Sequence, residues 1–144
     1  MTILTIADAL VTMLNAGSYS QTFTAARKVL PRYGIEDLTA LKVTVVPASC
    51  ESSMATRETS DNEYAIEIGI QKKLSSDTDT DIAPMLILVN EIISRIKTPA
   101  NRILNTTNPS VWLKTENNPV YDREHLASQL VFTSLLTVTY KVME

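Results

Sequence analysis

Apolar residues recur at helical spacing in two stretches and alternate with polar ones in several others. Ile3, Ile6, Ala7, Leu10, Val11 and Leu14 fall at i, i+3, i+4 intervals, which predicts an amphipathic helix over 3–15. Thr2 is its candidate N-cap, and Asn15-Ala16-Gly17 is its stop. From Gln21 the period drops to two: Phe23, Ala25, Arg27 and Val29 alternate with Thr22, Thr24, Ala26 and Lys28, predicting a strand. Leu41 to Val46 reads as a second strand that Pro47 ends, after a connection marked by Pro31, Gly34 and Asp37. Residues 48–62 (ASCESSMATRETSDN) are polar and show no period, so they read as a long loop. Tyr64, Ile66, Ile68 and Ile70 then give the cleanest alternation in the chain, a half-buried strand.

A second helix follows over 80–97, with Ile82, Met85, Leu86, Val89, Ile92, Ile93 and Ile96 on one broad face. Pro84 is read into its first turn, Asp79 and Asp81 lie at the positive end of its dipole, and Arg95 and Lys97 at the negative end. Pro99 ends it. Residues 111–116 predict a short strand, Asn117-Asn118-Pro119 a turn, and Gln129–Val142 a long last strand with Leu130, Phe132, Leu136, Val138, Tyr140 and Val142 inward. Strands in runs, separated by one helix, predict an α+β fold: an antiparallel or mixed sheet of four to five strands with two main helices packed on one face. The 144 residues fit a single domain spanning 1–144, with the polar loop at 48–62.

Composition narrows the function classes. A net charge of −3 disfavours a general nucleic-acid binder, which is usually basic. No apolar run approaches the roughly 20 residues of a spanning helix. The N-terminal stretch lacks a basic region and is interrupted by Asp8, so it reads as a helix and not as a signal peptide. The expectation is a soluble protein made in the cytoplasm.

Candidate chemistry is thin. Asp77, Asp79 and Asp81 have the spacing that opens a calcium loop, but Ile82 stands where glycine is needed and Leu88 where a bidentate glutamate is needed. His125 is the single histidine; with Asp122 and Glu124 it could serve a small enzyme, though no serine lies in a nucleophile elbow. Cys50 is the single cysteine, and Glu51 beside it disfavours a thiolate. Three glycines, Gly17, Gly34 and Gly69, cannot build a dinucleotide fingerprint or a P-loop. Asn105-Thr106-Thr107 matches a glycosylation sequon that a protein without a secretion signal does not use. The expectation is no catalytic residue, no cofactor and no metal; a small-ligand binding module is the remaining non-structural alternative.

Charge distribution says more. Residues 50–81 hold eight acids and three bases, and the remainder eight acids and ten bases. An acidic segment on a mildly basic body suits head-to-tail contact between subunits, or an acidic surface turned toward DNA. The candidate subunit or tube interface is Glu51, Arg57, Glu58, Asp61, Lys72, Lys73, Asp77 and Asp79. It is read as one arm made of the 48–62 and 71–81 connections joined by the Tyr64–Ile70 strand.

Several stretches resemble the tail terminator (tail-completion) proteins of long-tailed bacteriophages. They are IADALVTML, LKVTVVPAS running into a polar loop with Arg57, EYAIEIGIQKKL, IAPMLILVNEIISRI, and NPVYDREHL leading to a Thr-rich end, LTVTYKV. Together they cover nearly the whole chain. The resemblance implies a non-enzymatic virion protein, assembled in the host cytoplasm, that forms a ring, commonly a hexamer, on the head-proximal end of the tail tube. Such a ring stops tube polymerisation and offers the surface for head–tail joining. Its partners are the tail tube protein and a head-completion or connector protein; DNA crosses the lumen without specific binding, and no membrane is involved. The nearest alternative is another ring component of the neck or tail: a head-completion, stopper or tube protein.

Overall fold

Each amphipathic stretch becomes an element whose apolar stripe faces a common core. The computed structural model describes residues 3–28, 40–75, 79–104, 109–118 and 120–143, the side chain of His125 excepted. Thr2, the end of the predicted first strand at Val29, the 31–39 connection, Asp77, the sequon at 105–107 and Pro119 lie outside them. The order is α1 (Ile3–Asn15), β1 (Ala25–Arg27), β2 (Lys42–Met54), β3 (Ser60–Lys73), α2 (Asp79–Lys97), a 3-10 turn (Pro99–Asn101), β4 (Ser110–Asn117), α3 (Arg123–Gln129) and β5 (Val131–Met143). The fold is α+β. Its five strands lie in the order β1-β2-β3-β5-β4, with β1 parallel to β2 and the other pairs antiparallel, so the sheet is mixed.

Cross-strand register explains why β3 and β5 were legible. Val45, Ile68 and Leu136 form one row and Tyr64, Tyr140 and Trp112 another, all on the inner face. Against that face pack Ile6, Ala7, Leu10, Met13 and Leu14 of α1 and Met85, Leu88, Val89, Ile92 and Ile96 of α2. The outer face alternates to Glu51, Glu63, Glu67, Lys141, Lys114 and Glu116, with Val46, Leu135, Val111 and Met143 among its smaller and hydroxyl side chains.

Helix ends are tied down by side chains from elsewhere in the fold. At the end of α1 the Met13 carbonyl accepts hydrogen bonds from Arg95 Nε (3.3 Å) and Nη2 (3.2 Å), and the Leu14 carbonyl accepts one from Tyr19 Oη at 2.8 Å. These satisfy terminal carbonyls and set a cation against the negative end of the helix dipole. A Cβ added at Gly17 would lie 2.6 Å from Tyr19 Oη, so a larger residue there must displace the phenol that bonds the Leu14 carbonyl. Burial pushes the Tyr19 phenol above its ordinary range, and the Arg95 guanidinium partly offsets this. Asn15 clamps α1 to β1, donating from Nδ2 to the Ala25 carbonyl at 3.2 Å and accepting from the Ala25 amide at 2.8 Å.

Four local readings change. Pro47 does not end β2. The strand runs on to Met54 through a bulge at Ala48, because Pro47 pairs with Ile66 and Ser49 with Ala65. Residues 48–62 are therefore not a loop: β2 and β3 form a hairpin closed by a turn at 55–59. Pro84 lies one turn deeper, since α2 begins at Asp79; it forgoes one backbone bond at a place where Thr80 and Pro84 are both exposed. The polar stretch before the last strand contains α3, which ends at Leu130 with φ 56°, a left-handed cap closed by the Leu130 amide on the Leu126 carbonyl at 3.1 Å.

Tyr140 is fully buried, and its hydroxyl has no hydrogen-bond partner among the described residues. Burial raises its pKa far above the ordinary phenol value, so the neutral form is favoured in the fold. A folded-state pKa raised in this way contributes stability that is full below the ordinary value and is lost as pH rises above it. Replacing Tyr140 with Phe should leave stability at neutral pH unchanged or higher by up to about 1 kcal/mol, because an unpaired buried hydroxyl is removed. Denaturant titrations at neutral and strongly alkaline pH check this: the variant should lose less of its stability on going alkaline.

Candidate assembly surface

The hairpin forms an arm. Up to Val45, β2 is covered by α1 on its inner face and flanked by β1; from Ala48 to Glu58 every residue is exposed. The bulge reverses which residues face inward, so Val43 and Val45 point to the core while Cys50 and Ser52 take the inner side further out. The tip is ordered by its own polar groups. The Ala55 and Thr56 amides both donate to the Thr59 carbonyl at 3.1 Å. Thr56 Oγ1 accepts from the amides of Glu58 (3.3 Å) and Thr59 (3.1 Å) and lies 2.7 Å from Thr59 Oγ1. Behind the tip, Ser52 Oγ donates to Asn62 Oδ1 at 2.5 Å, and Asn62 Nδ2 donates to Ser60 Oγ at 3.4 Å. Met54 stands out from this polar surface, the residue being 82% exposed.

The seven described residues of the sequence-predicted interface do not form one patch. Glu51, Arg57, Glu58 and Asp61 belong to the arm. Lys72 and Lys73 end β3 at the far side of the sheet, and Asp79 starts α2 beyond them. At the usual rise along a strand, Asp61 and Lys72 are roughly 36 Å apart. The arm of the sequence reading is therefore only the 48–62 half; Lys72 and Lys73 belong to the body, where Lys72 Nζ donates to Gln21 Oε1 at 3.4 Å. Asp77 lies outside the described residues.

Asp61 is the best-anchored acid of the arm. Its Oδ2 pairs with Lys141 Nζ at 3.4 Å, while Oδ1 is out of water without a hydrogen-bond partner among the described residues. Glu51 and Glu63 stand directly opposite each other on the outer face. Sequence reasoning missed Met54, Ser52, Asn62 and the two threonines of the tip. The signal was the run of serines and threonines itself, which lacks the Gly or Pro of an irregular loop but has no apolar alternation to announce a strand.

Two of the acids weighed for chemistry hold backbone or side-chain groups at helix starts. Asp122 accepts the Glu124 amide on Oδ1 at 3.0 Å and so caps α3. Asp81 accepts the Ser75 hydroxyl at 3.0 Å at the start of α2. Cys50 is exposed on the arm. Among the described residues no helix is long and apolar enough to cross a membrane.

No family model and no curated protein matches this chain.

Proposed function

We propose that the protein is a structural, non-enzymatic phage component: a tail-terminator-like subunit that forms a ring on the end of the tail tube. The ring halts tube polymerisation and provides the surface for head–tail joining, with the tail tube protein on one side and a head-completion or connector protein on the other. DNA crosses the lumen unbound, and the protein resides at the head-proximal end of the tail.

The observation that carries this reading is the arm. A chain that spends 13 residues on β2 and leaves the outer seven exposed gains little core from them. Yet the tip holds a defined shape through its own hydrogen bonds. An ordered, exposed hairpin lowers the entropy lost on docking, which is what an assembly contact needs. The placement of Asp122 as a helix cap supports the same side of the choice between assembly and catalysis. The test is addition of the purified protein to polymerising tail-tube subunits, followed by electron microscopy: a terminator stops at one ring, whereas a tube protein builds tubes of its own.

A further inference from the structure

We propose that the open edge of the arm pairs with the β4 edge of a second copy, joining subunits head to tail. This deepens the ring reading above and rests on it for its biological setting. Among the described residues, β1 pairs with β2 only at Val43–Val45, and the Lys28 amide extends the contact to the Val45 carbonyl. From Ala48 outward the β2 edge meets no described strand and is exposed to solvent. At the other side of the sheet, Ser110 and Trp112 are taken up by the 102–104 segment: Leu104 donates to the Ser110 carbonyl at 3.1 Å, and Trp112 to the Arg102 carbonyl at 2.7 Å. Past the bulge at Leu113, Lys114 to Glu116 meet no described strand on their outer side. An unpaired edge is a template for another chain.

Direction and charge select a second copy as the occupant. Strands β2, β3, β5 and β4 alternate in direction, so β4 of a copy set beside β2 runs antiparallel to it without inverting the neighbour. On the outer face, Glu51 opposes Glu63, and like charges directly opposite each other are destabilising. Lys141, next to Glu63, is engaged by Asp61 at 3.4 Å. A cation brought beside Glu51 from outside relieves that repulsion. Lys114 is the cation on the β4 edge; its link to Glu116 (3.1 Å) joins two side chains 63% and 60% exposed and is readily exchanged. The register that sets Glu51 against Lys114 also sets Cys50 against Thr115 and Ser49 against Glu116, and keeps inner-face residues opposite inner-face residues. The contact uses different patches on the two copies, so it propagates and closes into a ring when the rotation allows. Pairing the arm with itself would instead bring Glu51 and Glu63 of both copies together.

Cys50 is a built-in reporter, because directly opposed residues in an antiparallel pair lie at disulfide-compatible Cα spacing. The Thr115→Cys variant, with Cys50 retained, should give on mild oxidation a ladder of disulfide-linked species extending beyond dimer on a non-reducing gel. The wild type and Cys50→Ser/Thr115→Cys should give nothing beyond dimer. Should Thr115→Cys unfold through loss of the Trp112 Nε1 bond to Thr115 Oγ1, Ser49→Cys with Glu116→Cys in a Cys50→Ser chain tests the next rung. Glu51→Lys should weaken self-association about tenfold, and adding Lys114→Glu should restore it. A protein that stays monomeric, or that links only into dimers, overturns the pairing. A ladder from a protein that leaves tail tubes unaffected removes the tail reading and keeps this one; capping without the ladder does the reverse.

Discussion

Shortening the arm at its tip should abolish tube capping while leaving the fold, and the Ser49–Glu51 edge that joins subunits, in place. The cut that respects the register replaces Met54–Ser60 with Asn-Gly. Ser53 and Asp61 are direct cross-strand partners, so a two-residue turn can close them. The removed segment contributes no residue to the hydrophobic core. Its loss should change stability by no more than about 1 kcal/mol, twice the roughly 0.5 kcal/mol typical of a single surface substitution. Far-ultraviolet circular dichroism and a denaturant melt check the first half. Sedimentation and electron microscopy with tail tubes check the second. A shortened protein that still capped tubes would place the assembly contact elsewhere, and one that failed to fold would make the arm part of the scaffold.

The largest stability effect should come from Ile68→Ala. Ile68 is fully buried at the centre of the inner face, in one row with Val45 and Leu136. Truncation removes three carbons from a site walled by paired strands, which cannot collapse onto the gap. The expected loss is about 3 kcal/mol, within the roughly 2–5 kcal/mol seen for such changes. Against a total of roughly 5–15 kcal/mol, that is a large share. Ser49→Ala, on the exposed part of β2, should stay within about 0.5 kcal/mol. Urea denaturation of the three proteins measures both differences; equal losses at the two positions would mean that the burial pattern is wrong.

What the sequence disclosed follows from which surfaces are buried on one side. The helices α1 and α2 and the strands β3 and β5 each bury a single face, so their period is printed in Ile6/Leu10/Leu14, Met85/Val89/Ile92/Ile96, Tyr64/Ile66/Ile68/Ile70 and Phe132/Leu136/Val138/Tyr140/Val142. The outer half of β2 is exposed on both faces, from Ala48 to Met54, so no alternation exists to read. The bulge at Ala48 further breaks the phase between Val45 and Cys50. The seven-residue α3 is too short to show a helical period, and its cap, Asp122, was read as a candidate acid beside His125.

The candidate surface was half legible. Charge counting found that 50–81 is acidic, but counting along the chain cannot tell that β3 carries Asp61 to one end of the sheet and Lys72 to the other. Strand order and register come from long-range pairing, and the two open edges of the sheet become visible only once that pairing is known.

The proposed role is to end a tail tube. The most direct measurement is the length of tubes polymerised from tail-tube subunits with and without the purified protein, imaged by electron microscopy. The account predicts tubes that stop growing once the protein is present, each carrying a single added ring at one end. Tubes of unchanged length with bare ends, or the protein building long tubes by itself, would contradict it.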